Sequence, residues 1–196
     1  MRILLIVLSV VVLSACGTTS VQRMDSGETI DLSGAWNDSD SRMTAETMVT
    51  DVLTRPWINR HVSQQGKPPT VIVGNIKNLS HEHINTNTFV SDIERELINS
   101  GLVEFVASAN QRGEIREERK DQDLNATDAT RNAAGQEIGA DYMLTGQINT
   151  IIDANDSQQV RYYQVDLTLI SLADNRKVWV GQEKIKKLVE NSKIRY

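Results

Sequence analysis

The sequence predicts a single α+β domain, in which helices pack on a mixed sheet of four to five strands. Two observations support this class. In the first half, short β-branched runs alternate with stretches whose apolar residues recur at helical spacing, and helical crossovers of this kind join parallel strands. In the second half, residues 160–171 alternate strictly between apolar and polar side chains, as in an antiparallel meander with one buried face. The predicted order is β-α-β-α-α-β-β-β.

Two helices are predicted before the first strand. Apolar residues recur at roughly helical spacing over residues 42–53. Pro56 ends this helix and can open a second, shorter one that contains Trp57 and Val62. The paired prolines within residues 66–69 then break regular structure.

The first strand and the helix after it have strong local signals. Residues 70–76 form a short β-branched run, which is typical of a buried central strand. A polar loop follows. Phe89, Ile93 and Leu97 then repeat at i, i+4 and i+8, which predicts an amphipathic helix. Gly101 suits the left-handed position at its C-terminal end.

The middle of the chain is more polar. A second strand is predicted at residues 102–106. Residues 111–122 are almost wholly charged or polar, so they form either a solvent-facing helix or a mobile loop. Another helix is predicted from Asn125 or Thr127, either of which can cap it, through Ile138.

The last three strands are predicted as an antiparallel meander. The third strand covers residues 142–152, and the alternating segment 160–171 is the fourth. Turn chemistry at residues 173–176 leads into a returning strand at 177–181, which completes a hairpin. The basic run at residues 184–187 fits a solvated edge strand, since edge lysines discourage aggregation.

The first fifteen residues have the features of a secretory signal. One positive charge precedes an apolar segment, residues 3–13, that is too short to span a bilayer. The tetrapeptide Leu13-Ser14-Ala15-Cys16 resembles the bacterial lipobox, which predicts that Cys16 becomes the lipidated first residue after cleavage. The alternative is an ordinary cleaved signal followed by an incidental cysteine. Gly17 stands where some bacterial lipoproteins carry an inner-membrane retention Asp, and this resemblance implies sorting to the outer membrane.

Residues 16–41 are predicted to be a flexible, lipidated N-terminal tether, and residues 42–196 the globular domain. The tether is rich in Thr, Ser, Gly, Asp and Asn, and its apolar residues show no period. Trp36 is the exception. It can dock on the domain or on a partner, or it can pack locally before the first helix.

Composition excludes several classes of protein. The chain has 196 residues, with 21 basic and 26 acidic side chains and a formal net charge of −5. An acidic chain without clustered cations is not expected to bind nucleic acid. Cys16 is the only cysteine, so no intramolecular disulfide can form. After the signal, no apolar stretch approaches transmembrane length.

The search for chemistry finds one cluster with metal-site character, His81-Glu82-His83, in a polar loop. Two histidines at i and i+2 are too few ligands, and His61 lies in another segment. No nucleophile elbow, phosphate loop or zinc-protease helix is present. We therefore predict no metal, no cofactor beyond the acyl lipid and no catalytic residue, and we expect the protein to act by binding.

Several segments together resemble the LpoB-type outer-membrane lipoprotein activators of penicillin-binding proteins. These are the lipobox and polar tether, the strand and loop at residues 71–78, the Gly139-Ala140-Asp141-Tyr142 segment, and the hairpin from Leu167 to Gly181. The resemblance implies a monomeric lipoprotein on the periplasmic face of the outer membrane. It would bind and stimulate a class A penicillin-binding protein, a peptidoglycan synthase of the inner membrane, without catalysing a reaction itself.

The tether differs from that of the best-known activator of this type, which is long and rich in proline. Residues 16–41 contain no proline, and about 26 residues reach at most ~90 Å when fully extended. Reach across the periplasm is therefore limited.

Partner contacts are predicted in the loop after the first strand and at an Arg-Tyr pair in the alternating strand. Polar loops on rigid scaffolds often carry function, and Arg beside Tyr has the chemistry of an interface hot spot. A variable connector remains the alternative for the loop. The candidate residues are Asn78, His81, Glu82, His83, Arg161 and Tyr162.

Two other functions stay open at this point. One is a structural or assembly lipoprotein of another envelope complex, either an adaptor or a relative of a secretion pore. The other is an envelope enzyme whose site has no recognised motif.

Overall fold

The computed structural model describes residues 20–132, 135 and 137–190. The predicted signal, the lipobox and Cys16 lie outside these residues. The described chain forms one α+β domain, as predicted, with two helices leading into a sheet. The elements in order are α1 (Asp38–Thr54), α2 (Trp57–Gln65), β1 (Thr70–Leu79), α3 (Thr86–Asn99), β2 (Glu104–Phe105), α4 (Ala109–Asn125), β3 (Tyr142–Ala154), β4 (Gln158–Ser171) and β5 (Lys177–Glu190).

The sheet is mixed, with five strands in the order β2-β1-β3-β4-β5. β1 pairs in parallel with both β2 and β3, because helical crossovers connect these strands. β3, β4 and β5 form an antiparallel meander with long hairpins. Both predicted pairing modes are therefore confirmed. β5 is an edge strand, as its lysines indicated, and β2 forms the opposite edge.

Two helices pack on one face of the sheet and enclose the core. α1 lies against α3 and β5, and α3 lies against β1 and β2. Phe89, Ile93 and Leu97, the stripe predicted from sequence, are the buried residues of α3. From β4, the alternating residues Tyr163, Val165, Leu167 and Leu169 point into the same core.

Two glycines allow large side chains to lie flat on the sheet. Leu167 pairs with Gly146 on one side and with Gly181 on the other. A methyl group at residue 146 would meet the Leu167 side chain and the Asp166 carbonyl, and one at residue 181 would meet the Trp179 ring. The tight packing at the centre of the sheet therefore requires glycine at both positions.

α1 begins at Asp38, four residues earlier than predicted. Asn37 accepts a hydrogen bond from the backbone N–H of Asp40, and the Asp40 carboxylate accepts one from the backbone N–H of Asn37. These polar residues form a capping box, which satisfies backbone donors at the helix start. The polar residues of this segment suggested a tether, but Asn37 and Asp40 cap the helix instead.

The region between β2 and β3 also differs from expectation. Residues 111–122 are indeed helical, and α4 has no buried residue, so the solvent-facing helix is correct. The second helix, predicted from Asn125 or Thr127 to Ile138, does not form in the described residues, which contain only turns and irregular chain there. α4 itself continues to Asn125, and the chain then folds back, with the backbone N–H of Asn132 bonded to Gln122 Oε1 at 3.1 Å.

No helix among the described residues combines the length and apolar character needed to cross a bilayer.

Candidate functional site

The candidate site lies where the end of β1, the loop after it and the adjoining stretches of β4 and β5 meet the segment before α1. We call residues 30–37 the strap. Gly34 has φ +65°, and a side chain there would meet Val189, so the strap runs close against β5. Its last residue caps α1, which fixes the direction in which the chain enters the domain.

Trp36 anchors the strap in the core. Its ring packs edge-on against Tyr163, with centroids 5.6 Å apart, and against Phe89 at 6.3 Å. The indole N–H donates to Ser41 Oγ at 2.7 Å, so the polar edge of the ring is satisfied. Of the possibilities left open by the sequence, docking on the domain is the one observed.

Glu82 joins three parts of the chain. Its Oε1 accepts hydrogen bonds from Arg161 Nη1 at 2.6 Å and from the Tyr163 hydroxyl at 2.7 Å. Its Oε2 accepts from the backbone N–H of Trp36 at 3.0 Å. The Glu82 side chain is 17% exposed and that of Arg161 21% exposed, so the ion pair is largely removed from water. Glu82 therefore connects the loop, β4 and the strap.

Burial and the hydrogen bond with Glu82 together raise the pKa of Tyr163 far above its ordinary value. The phenol consequently stays protonated and keeps donating to the carboxylate. Its oxygen also lies 3.2 Å from the carbonyl oxygen of Gly34, which places the strap backbone next to this network.

Lys187 forms a second connection between β5 and the N-terminal segment. Its Nζ donates to Asp31 and Asp40, each at 2.6 Å, and to the Ala35 carbonyl at 3.3 Å. Burial disfavours the charged form of the amine and by itself lowers the pKa of Lys187. The hydrogen bonds with the two carboxylates outweigh this effect, so the pKa of Lys187 is raised overall. The hydrogen bond from Lys187 is also the main cause that lowers the pKa of Asp31. Both ends of this contact are therefore charged at neutral pH.

The loop after β1 is held internally. Asn78 donates through Nδ2 to the Glu82 carbonyl at 2.8 Å and accepts from the backbone N–H of Ser80 at 3.0 Å. His81 is exposed, and its Nδ1 lies 2.8 Å from Thr150 Oγ1. His83 is exposed too and lines an open cavity of about 530 Å³.

Tyr162 lies on the other face of the sheet from Tyr163, because side chains alternate along β4. Its neighbours across the strands are Ile151 and Lys186. The Tyr162 hydroxyl donates to Gln164 Oε1 at 3.3 Å. Tyr162 is thus separated from Arg161 and its partners by the thickness of the sheet.

The six residues predicted from sequence consequently divide into three groups. Asn78, Glu82 and Arg161 point inward and organise the loop and strap. His81 and His83 project from the loop, and Tyr162 stands on the opposite face. The structure brings Glu82 and Arg161 together, although 79 positions separate them in the chain.

Two contributors to the site, Tyr163 and Lys187, were missed as site residues. Tyr163 was assigned only to the buried face of its strand, and nothing in the local sequence reveals its hydroxyl partner. Lys187 was included in a basic edge run. A signal was available, because continuing the alternation of β5 past Gly181 would have placed Lys187 on the inward face.

The described part of the chain contains no group of three or more His, Cys, Asp or Glu side chains that could hold a metal ion. His61 is buried elsewhere, with its Nδ1 3.0 Å from the Tyr142 hydroxyl and its Nε2 3.6 Å from Asp141.

The fold and this site define a small α+β domain whose conspicuous polar network secures its own N-terminal segment. A family model described as "Peptidoglycan-synthase activator LpoB" matches residues 40–185, about three quarters of the chain. The chain belongs to the LpoB family. This is a family of activators of peptidoglycan synthesis rather than a catalytic family, which confirms the resemblance noted in the sequence.

Solved structures similar to this chain include other bacterial envelope proteins. The LpoB C-terminal domain of Escherichia coli is 19% identical, with a TM-score of 0.35, over 67% of this chain and 94% of that one. The corresponding domain of Salmonella enterica is 17% identical, also with a TM-score of 0.35 and the same coverage. Lipoprotein GNA1162 of Neisseria meningitidis is 16% identical, with a TM-score of 0.38, over 65% of this chain and 88% of that one. No curated protein sequence matches this chain.

Proposed function

We propose that this protein is a lipoprotein, anchored through Cys16 on the periplasmic face of the outer membrane, that binds and activates a class A penicillin-binding protein. The observation that carries this proposal is the family match over residues 40–185. The lipobox at residues 13–16 supports the anchor. Activation requires that the domain bind the active conformation of the synthase more tightly than the inactive one. The activator itself acts as a monomer and catalyses nothing.

The strap shortens the free tether. Asp31 is held by Lys187, and the Ile30 carbonyl accepts a hydrogen bond from Asn37 Nδ2 at 3.2 Å. Residues 16–29, which precede the strap, reach at most ~50 Å when fully extended. The domain consequently works close to the outer membrane, and the synthase must extend to meet it.

The docked strap also sets how the domain faces its partner. Because the chain enters beside Gly34 and Val189, the end of the sheet that holds the loop lies nearest the membrane-linked segment. Release of the strap would lengthen the tether by several residues and free the orientation of the domain.

We assign the partner contacts to His81 and His83, which are exposed on the loop, and to Tyr162, which is half-buried on the opposite face of the sheet. Glu82 and Arg161 support the loop that carries the two histidines from beneath, because their partly buried ion pair fixes this loop on β4. Tyr has the large, amphipathic contact area typical of interface hot spots. Replacing Tyr162 with alanine should weaken binding to the synthase about tenfold or more, whereas Arg60→Ala, an exposed change on α2, should not.

The test uses the soluble Cys16→Ser chain and a purified class A synthase from the same bacterium. Binding of the chain to the immobilised synthase is measured by surface plasmon resonance. The rate of glycan polymerisation is measured with the same protein preparations. The proposal predicts binding and a higher polymerisation rate. Absence of binding to every class A synthase of that bacterium contradicts it. In cells, the Cys16→Ser protein should leave the outer-membrane fraction and fail to restore tolerance to β-lactams.

A further inference from the structure

A groove lies at the β2 edge of the sheet, and neither the strap nor the loop takes part in it. Two adjoining cavities of about 320 and 440 Å³ share Phe105, Val106 and Ile138 as lining. Ile138 is 63% exposed, and Ile98, which lines the second cavity, is 52% exposed. Apolar surface that the core does not use is therefore open to solvent at this edge.

Three arginines of α4 stand beside the apolar floor. Arg112, Arg116 and Arg119 are spaced at i, i+4 and i+7, so they share one face of the helix. Arg112 and Arg119 line the smaller cavity together with Glu137. Arg116 makes a two-pronged ion pair with Glu137, from Nε at 2.8 Å and from Nη2 at 2.9 Å. Arg119 Nη1 lies 3.4 Å from the same carboxylate.

The arginines outnumber the carboxylate beside them. Glu137 pairs with two guanidinium groups, those of Arg116 and Arg119, and the Arg112 Nε is buried without a hydrogen-bond partner among the described residues. The hydrogen bond from Arg116 lowers the pKa of Glu137, so this carboxylate is charged at neutral pH. The lining of the smaller cavity then carries two guanidinium groups, Arg112 and Arg119, against one carboxylate, an excess of one positive charge. Such an excess is notable in a chain whose net charge is −5.

We propose that this groove binds an acidic segment of a partner protein, in which an apolar side chain adjoins an Asp or Glu. The apolar side chain fills the space over Phe105, Val106 and Ile138. The carboxylate pairs with the Arg112 guanidinium, which lines the cavity, and competes with Glu137 for Arg119, because guanidinium groups pair in forked geometry with carboxylates.

The groove also fixes the direction of the bound segment. Glu104 lines the end distant from α4 and repels an acidic group there. The acidic residue of the ligand is therefore held beside Arg112 and Arg119, and its apolar neighbour lies towards β2. Glu137 acts as an internal competitor that the incoming carboxylate displaces. This site is independent of the proposed synthase-activating surface.

The test measures fluorescence anisotropy of a fluorescein-labelled peptide, Gly-Glu-Leu-Glu-Phe-Gly, with the soluble Cys16→Ser chain. One control peptide carries Lys in place of each Glu, and a second carries Ser in place of Leu and Phe. The proposal predicts saturable binding of the first peptide, weakened by salt, and at least tenfold weaker binding of both controls. Equal binding of the Lys peptide would overturn it.

Variants of the chain distinguish side chains that recognise the peptide from side chains that only maintain the fold. Arg112→Gln and Arg119→Gln should each weaken peptide binding about tenfold, whereas Arg60→Gln, on α2, should not change it. Glu137→Gln should tighten binding about two- to fivefold, because it removes the competing carboxylate. If Glu137 had a purely structural role, Glu137→Gln would weaken peptide binding. Weaker binding by this variant therefore overturns the proposal. Circular dichroism of each variant verifies that α4 is retained.

Discussion

Replacing Glu82 with glutamine tests the connection between the strap, the loop and β4. The change keeps the shape of the side chain and removes its charge. Glu82 accepts three hydrogen bonds, and one of its donors is the Arg161 guanidinium at 2.6 Å. Hydrogen bonds to charged groups contribute about 1.5–3 kcal/mol each, against about 0.5–1.5 kcal/mol for neutral pairs. The amide still accepts some of these bonds, and the pair is slightly exposed.

We therefore expect Glu82→Gln to lower the free energy of unfolding by about 2 kcal/mol, within the range for a partly buried ion pair. For a domain of this size, that corresponds to a decrease of about 1 M in the urea midpoint. Hydrogen exchange measured by mass spectrometry should show faster exchange in the strap, because Trp36 loses the acceptor for its backbone N–H. Glu114→Gln, an exposed change on α4, is the matched control.

The double variant Glu82→Gln/Arg161→Gln isolates the pair. If the two side chains act together, the combined loss of stability is about 1 kcal/mol smaller than the sum of the single losses. Unchanged urea midpoints for Glu82→Gln, together with an unchanged exchange rate of the strap, would refute the assignment of Glu82 as the anchor.

The remaining predictions concern the sheet, α4 and the strap. Gly181→Ala should destabilise the domain by about 1–3 kcal/mol, since the new methyl group meets the Trp179 ring; an unchanged urea midpoint would contradict this packing. Gly113→Ala has open space around it and should instead stabilise α4 by about 0.5–1 kcal/mol, measured by thermal unfolding. Strap docking should weaken in acid, beginning below the ordinary aspartate pKa of about 4 and becoming complete as the pH falls through the lowered pKa of Asp31. It should also weaken in alkali above about pH 10.4, as Lys187 loses its proton on passing through its raised pKa. Protection of the strap amides, after correction for the intrinsic pH dependence of exchange, that stays constant across both ranges would contradict these assignments.

Hydrophobic periodicity was sufficient to predict most of the fold. The stripe of Phe89, Ile93 and Leu97 and the alternation over residues 160–171 each report burial on one face, and burial is what positions these elements in the core. Predictions from local composition were wrong where polar residues stabilise a helix end. Asn37 and Asp40 cap a helix, although in sequence they resemble part of a flexible tether.

The candidate site was less accessible to sequence reasoning. Glu82 and Arg161 were both named, but their contact depends on the register between β1, β3 and β4 over 79 positions of chain. Tyr162 was grouped with Arg161 as its neighbour in sequence, whereas strand alternation places the two on opposite faces. Lys187 was overlooked because β5 continues to Glu190, nine residues beyond the predicted end.

The central claim, that this chain activates a peptidoglycan synthase, is tested most directly by the glycan polymerisation rate of its class A penicillin-binding protein. The rate is measured with and without the soluble Cys16→Ser chain, and with the Tyr162→Ala variant at the same concentration. The account predicts a higher rate with the chain and a smaller increase with the variant. An unchanged rate, at concentrations where the chain saturates the synthase, would contradict it.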